Sequence, residues 1–145
     1  MKNLFKIIFI CLLAVSSSAL SLDEVKCLSV EDVKILPFRG EKVDDDTYNY
    51  FVSAGYKALS CLISQVSNTK KMSDPRKAPP YEGIRVGDVA FFIISDILQK
   101  PINELINDRS FKEEFSKNGV YAYFDYVNKG KNRVLLQSSL SKHHL

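Results

Sequence analysis

The sequence predicts an all-α fold, a small bundle of short helix pairs tied by one disulfide. Three observations predict it. Apolar side chains recur at three-four spacing over residues 48–66, 86–98 and 120–127, the period of a helix with one buried face. Glycine or proline punctuates these runs at Gly55, Pro101, Gly119 and Gly130, where helices stop or restart. Two cysteines, Cys27 and Cys61, remain once an N-terminal leader is removed.

Residues 1–21 have the layout of a secretory signal peptide. Lys2 and Lys6 form a basic head, residues 7–15 are unbroken apolar sequence, and residues 16–21 are mostly small. Cleavage after Ala19 or Ser21 leaves Leu20 or Leu22 as the first residue. A membrane anchor is the competing reading, but a spanning helix needs about 20 apolar residues and this run is shorter. The expectation is an exported chain, periplasmic or secreted, with no stable membrane insertion. Residues 22–145 then form a single helical domain, long enough to bury a core.

The 145-residue chain carries 20 Lys and Arg against 17 Asp and Glu. Lys2 and Lys6 leave with the leader, so the mature part is close to neutral. That balance argues against a nucleic-acid partner, which needs a strongly basic face. Cys11 also lies in the leader. An exported domain left with Cys27 and Cys61 is expected to join them. The loop-closure model gives such a bridge about 4 kcal/mol.

Each element follows from local chemistry. Ser29 heads a short helix with Val30, Val33 and Leu36 on one side, although residues 33–36 also suit an extended segment. Residues 39–42 form a turn. Asp44, Asp45 and Asp46 offer caps and negative charge to a helix N-terminus. The stripe that follows is Tyr48, Phe51, Val52, Leu59, Leu62, Ile63 and Val66, and Gly55 interrupts it: either one long helix tolerates the glycine or, the favoured reading, two short helices meet there. Residues 68–83 form a loop with three prolines, a glycine and four basic residues. Residues 86–99 form the most apolar helix, central to the core, stopped ahead of Pro101. A short helix runs from Pro101 to Ile106. Ser110 and Glu113 make a capping box for the next, which ends at Asn118-Gly119. Val120, Tyr123, Phe124 and Val127 mark another helix. Residues 131–141 form a last, weaker one, and residues 142–145 a tail.

The segments Gly55-Tyr56-Lys57-Ala58-Leu59-Ser60-Cys61-Leu62-Ile63 and Arg85-Val86-Gly87-Asp88-Val89-Ala90 resemble the helix starts of HEAT-type α-solenoid repeats, across about residues 45–97. The chain is also similar to small secreted bacterial proteins. The resemblance implies helix-pair packing and a binding role, and it brings no catalytic residues.

Chemistry-bearing patterns are sparse. There is no nucleophile elbow and no phosphate-binding glycine loop. His143 and His144 sit in the tail, and Asp44–Asp46 lacks the spacing of a calcium loop. No metal or cofactor is expected. Asp88 and Asp96 lie eight apart on the most apolar helix. With Arg85 and a tyrosine, they are the candidates for a dispersed enzyme site. The loop offers a different prospect. Lys70, Lys71, Arg76, Lys77, Tyr81 and Arg85 combine cations and an aromatic ring on a proline-braced segment, a mix suited to binding another protein. The favoured expectation is a non-enzymatic, exported binding protein of the envelope or periplasm, of the immunity-protein kind. The alternatives are the dispersed enzyme and a structural envelope component.

Overall fold

The computed structural model describes residues 28–37, 41–77 and 81–144. Within them the fold is helical. A 3-10 turn at Val30–Asp32 precedes α1 (Asp46–Ala54), a second 3-10 turn (Gly55–Ala58) and α2 (Leu59–Gln65). After the loop come α3 (Val86–Leu98), α4 (Ile102–Leu105), α5 (Arg109–Asn118), α6 (Val120–Val127) and α7 (Asn132–His144). No helix among the described residues is long and apolar enough to cross a membrane.

Helix α3 is the centre, as its composition predicts. Val86, Val89, Ala90, Phe91, Ile93 and Ile94 are each at most 1 % exposed. It packs against α1, α2, α4 and the first 3-10 turn. Phe91 stacks on Tyr123 of α6 with ring centroids 5.0 Å apart, and Phe92 meets Phe124 edge-on at 6.1 Å. These rings join the α5–α6 hairpin to the first half of the chain. Gln99 ends α3 in the left-handed conformation, at φ 52°.

Glycine makes two equivalent corners. Gly55 closes α1 with φ 57° and ψ −133°, and Gly119 closes α5 with φ 57° and ψ −136°. Only glycine takes these angles without strain. The Gly55 break expected from the sequence is therefore present, with a 3-10 turn between α1 and α2.

Asp45 is the N-cap of α1, as its position in the acidic triplet suggests. Its Oδ1 accepts from Tyr48 N at 2.8 Å. Its Oδ2 accepts from Lys34 N at 2.7 Å and Ile35 N at 2.9 Å, so the same carboxylate pins the N-terminal segment to α1. Val30, Val33 and Leu36 are all buried. The segment is extended beyond Asp32, and Leu36 pairs in parallel with Arg76.

Two local expectations are corrected. The cap of α5 is Asp108, which accepts from Phe111 N at 2.8 Å, rather than Ser110. The C-terminal tail continues α7 as far as His144, because buried Arg133, Leu136 and Leu140 hold that helix to the body. The turn expected at 39–42 lies partly outside the described residues, as do the leader and Cys27. Cys61 is half-buried and packs against the core.

Candidate functional site

The loop predicted as a recognition surface is built around Asp74. Arg76 donates from Nε to Asp74 Oδ1 at 2.9 Å and from Nη2 to Oδ2 at 2.6 Å, while Tyr81 N donates to Oδ2 at 3.0 Å. This is a forked ion pair, with only 11 % and 8 % of the two side chains exposed. Burial pushes the Asp74 pKa up, but the hydrogen bonds from Arg76 and Tyr81 outweigh it and hold the carboxyl below its ordinary value. The Arg76 guanidinium lies 4.8 Å from the centroid of Phe124, and Tyr81 stacks on the same ring at 4.2 Å. Arg76 and Tyr81 are thus fastened to the core.

The other candidates occupy different surroundings. Lys70 is exposed and pairs with Glu31, and exposed Lys77 pairs with Glu41 at 3.3 Å. Lys71 is exposed, and its backbone pairs antiparallel to Arg85. Arg85 precedes α3 and donates from Nη1 to Thr69 O at 2.8 Å. Lys70, Lys71 and Lys77 therefore supply the loop's exposed charge. Arg76, Tyr81 and Arg85 give it shape. Asp74 escaped the sequence reading, yet an aspartate before proline that accepts from the backbone two residues on is a known turn former.

Asp88 and Asp96 are not brought together. They stand two turns apart on α3, about 12 Å along the axis. Each meets a tyrosine from a different helix. Tyr123 Oη donates to Asp88 Oδ1 at 3.1 Å, and Tyr48 Oη donates to Asp96 Oδ2 at 3.0 Å.

Asp88 is fully buried. It forms an ion pair with Arg133 Nη1 at 2.8 Å, and its Oδ2 accepts from Arg85 N at 2.9 Å. One carboxylate thus joins the start of α3 to α6 and α7. Burial, then the Asp88 charge, raises the Tyr123 phenol well above its ordinary pKa, so it remains a donor. Arg133 was missed in the sequence. Its signal is spacing, because it continues the buried stripe of Leu136 and Leu140 at three and seven residues.

Asp96 stands where two clefts meet. The larger, about 830 Å³, runs between α1 and the end of α3 and includes Val43, Tyr48, Val52, Asp96, Gln99 and Lys100. The smaller, about 240 Å³, lies toward the loop, between Leu36, Arg76, Lys77, Phe92, Ile102 and Asp96. Asp96 is exposed, with the Tyr48 hydroxyl as its hydrogen-bond donor. Desolvation raises its pKa, and the Tyr48 hydrogen bond opposes the rise. The Tyr48 phenol is raised by burial and then by the Asp96 charge.

No family model, curated protein or solved structure matches this chain. The functional reading therefore rests on its own residues. Among the described residues no group of three or more His, Cys, Asp or Glu is placed to hold a metal ion.

Proposed function

We propose that this chain is an exported, non-enzymatic binding protein of the cell envelope or periplasm whose partner is another protein, as an immunity protein binds the toxin or hydrolase it neutralises. The observation that carries the reading is the use of the candidate catalytic groups. Asp88 is saturated by Arg133, Tyr123 and the Arg85 backbone. Asp96 is separated from it along α3. The exposed edge of the loop carries Lys70, Lys71 and Lys77 beside the Asp96 clefts, with Lys70 and Lys77 in surface ion pairs to Glu31 and Glu41. A braced loop holding exposed cations is a suitable contact surface, because ordering it on binding costs little further entropy.

Export and the staple belong to the same proposal. Residues 1–21 supply the leader pattern. Cys27 and Cys61 are the two cysteines retained after cleavage, and an exported domain is expected to join them. The glycine corners at Gly55 and Gly119 support the helix-pair style expected from the HEAT-type resemblance.

The test is capture of the natural partner from periplasmic extract by the mature chain, in parallel with a Lys70, Lys71 and Lys77 to Ala triple variant. Wild type should retain one protein in stoichiometric amount. Retention should weaken with salt, since exposed charges are screened over about 8–10 Å at ordinary ionic strength. The triple variant should retain less while melting at the same temperature. Failure of wild type to retain any protein stoichiometrically would refute the reading.

A further inference from the structure

The loop contains a short strand edge that is paired on one side only. Val86 N donates to Lys70 O at 2.9 Å and Met72 N donates to Ile84 O at 3.1 Å, which makes Lys71 and Arg85 a facing antiparallel pair. In such a pair the bonds belong to the flanking residues, so the N–H and C=O of Lys71 point to the other side. Among the described residues nothing bonds to them there, and nothing bonds to the N–H or C=O of Ser73. Thr69, Lys70, Lys71 and Ser73 are all exposed. The N-terminal segment touches this stretch of loop through Leu36 N to Pro75 O, at 2.8 Å, and through Glu31 to Lys70, and it leaves the main-chain groups between those contacts unpaired.

The facing pair also carries like charges. Side chains that face each other across an antiparallel pair project from one face, and two cations there repel. Among the described residues neither Lys71 nor Arg85 has an ion-pair partner, and Arg85 Nη1 goes instead to Thr69 O at 2.8 Å. Asp88 accepts from the Arg85 backbone, but its charge is answered by Arg133. Lys70 adds a further cation, the one that Glu31 neutralises. The edge is therefore net positive.

Unpaired main-chain donors and acceptors in a row are a template for another extended chain. The cations select which chain. A second copy of this edge would bring Lys70 and Lys71 against the same two lysines, so repulsion opposes self-pairing. An acidic chain instead supplies a carboxylate to Lys71 and Arg85 and relieves their mutual repulsion.

We infer that residues 69–73 are a docking edge for an extended, acidic segment of the partner protein, which adds to the loop through main-chain hydrogen bonds to Lys71 and Ser73 and sets a carboxylate between Lys71 and Arg85. This names a mode of recognition within the binding-protein reading above and rests on that reading for the partner, but the edge itself is testable without it.

The probe is the blocked pentapeptide acetyl-Thr-Glu-Thr-Glu-Thr-amide, titrated into the mature chain. It is compared with the same peptide carrying glutamine for glutamate, and with one N-methylated at two consecutive residues. The readout is the amide signals of Lys71 and Ser73 and the rate at which those two amide protons exchange with solvent. The acidic peptide should give saturable shifts at both positions and slow both exchange rates. The glutamine peptide should bind about fivefold more weakly, as expected when exposed ion pairs are lost. N-methylation should abolish saturation, because it removes a donor from whichever edge the peptide presents. Lys71→Glu should weaken the acidic peptide by at least as much as the glutamine exchange does, while melting no lower than wild type, since glutamate opposite Arg85 replaces a repulsive pair with an attractive one. Equal binding of the N-methylated peptide, or binding that leaves exchange at Lys71 and Ser73 unchanged, would overturn strand addition. Equal binding of the glutamine peptide would overturn the acidic partner. Shifts of the same two amides on concentrating the free chain would assign the edge to a second copy and overturn the proposal as well. The two proposals fail separately. Peptide binding without partner capture leaves the edge and removes the binding-protein reading. Partner capture that Lys71→Glu leaves intact removes the edge and keeps that reading.

Discussion

The two ends of α3 hold the same chemical group in opposite circumstances. At the N-terminal end, Asp88 is fully buried and meets a guanidinium, a phenol and a backbone N–H. At the C-terminal end, Asp96 meets a phenol and, among the described residues, no cation. A buried charge that loses its partner is strongly destabilising, so the first end depends on every member of its set. The second end tolerates an unanswered carboxylate because it opens on a cleft. The contrast separates a carboxylate that holds the fold from one that faces solvent.

The largest effect should come from breaking the first end. Asp88→Ala leaves Arg133 buried without its counterion and should cost about 3–5 kcal/mol, read as a lower urea midpoint. Arg133→Ala should be comparably damaging. If Asp88→Ala were neutral in urea, the hub would have no structural role.

Packing at the same end gives the next effect. A Cβ on Gly87 would lie 2.3 Å from Val66 O and 2.9 Å from Asn68 O, both backbone atoms. Gly87 N also donates to Asn68 O at 3.0 Å, so the two segments are already in close contact there. Gly87→Ala must push α3 away from the end of α2, and overpacking of this kind costs about 1–3 kcal/mol. Ile94→Ala, at the middle of α3, should cost about 2–5 kcal/mol through lost packing, whereas exposed Lys112→Ala should leave the melting temperature unchanged. The Ile94 comparison calibrates how much of the Gly87 loss comes from local strain.

The open end should respond weakly and with the opposite sign. Desolvation raises the Asp96 pKa in the folded state. The folded form therefore binds the proton more tightly, and this contribution to stability is lost as pH rises through the folded pKa. Asp96→Asn should be neutral to slightly stabilising near pH 7, with the gain vanishing in acid below the ordinary aspartate value of 3.8. Tyr48→Phe removes the hydrogen bond that opposes the rise, so the Asp96 titration midpoint should move further up. A downward movement, followed by the carboxyl carbon resonance, would contradict the assignment of Tyr48 as donor.

Asp45 and Asp74 should give the reverse pH dependence. Burial raises both pKa values, but hydrogen bonds outweigh it and leave both below 3.8. Their stabilisation is present above that value and declines as pH falls through the lower folded pKa. Asp74→Asn should therefore flatten acid unfolding. It should also loosen Tyr81 and Arg76 from Phe124, visible as altered ring signals.

Local sequence determined most of the helices. The three-four stripes, the Asp45 cap and the stops at Gly55 and Gly119 depend on side-chain periodicity and backbone angles that neighbouring residues set. At the start of α5 the cap is Asp108 rather than the expected Ser110, since both residue types cap well and the helix begins two residues earlier than the Ser110–Glu113 pattern implies. The end of α7 was misread because its outward-facing Val134 and Leu135 blur the stripe formed by Arg133, Leu136 and Leu140.

What only the tertiary structure decided is which polar residues meet. Asp88 and Arg133 are 45 positions apart, Asp96 and Tyr48 are 48 apart, and no periodicity links residues on different helices. The loop makes the same point. Its composition announced exposed cations and an aromatic ring, and Lys70, Lys71 and Lys77 are exposed. Arg76 and Tyr81 instead turn inward, because Asp74 and the Phe124 ring provide partners that exist only once α6 has packed beside the loop. Composition counts a charge but not its counterion, and the counterion decides whether that charge holds the fold or faces a ligand.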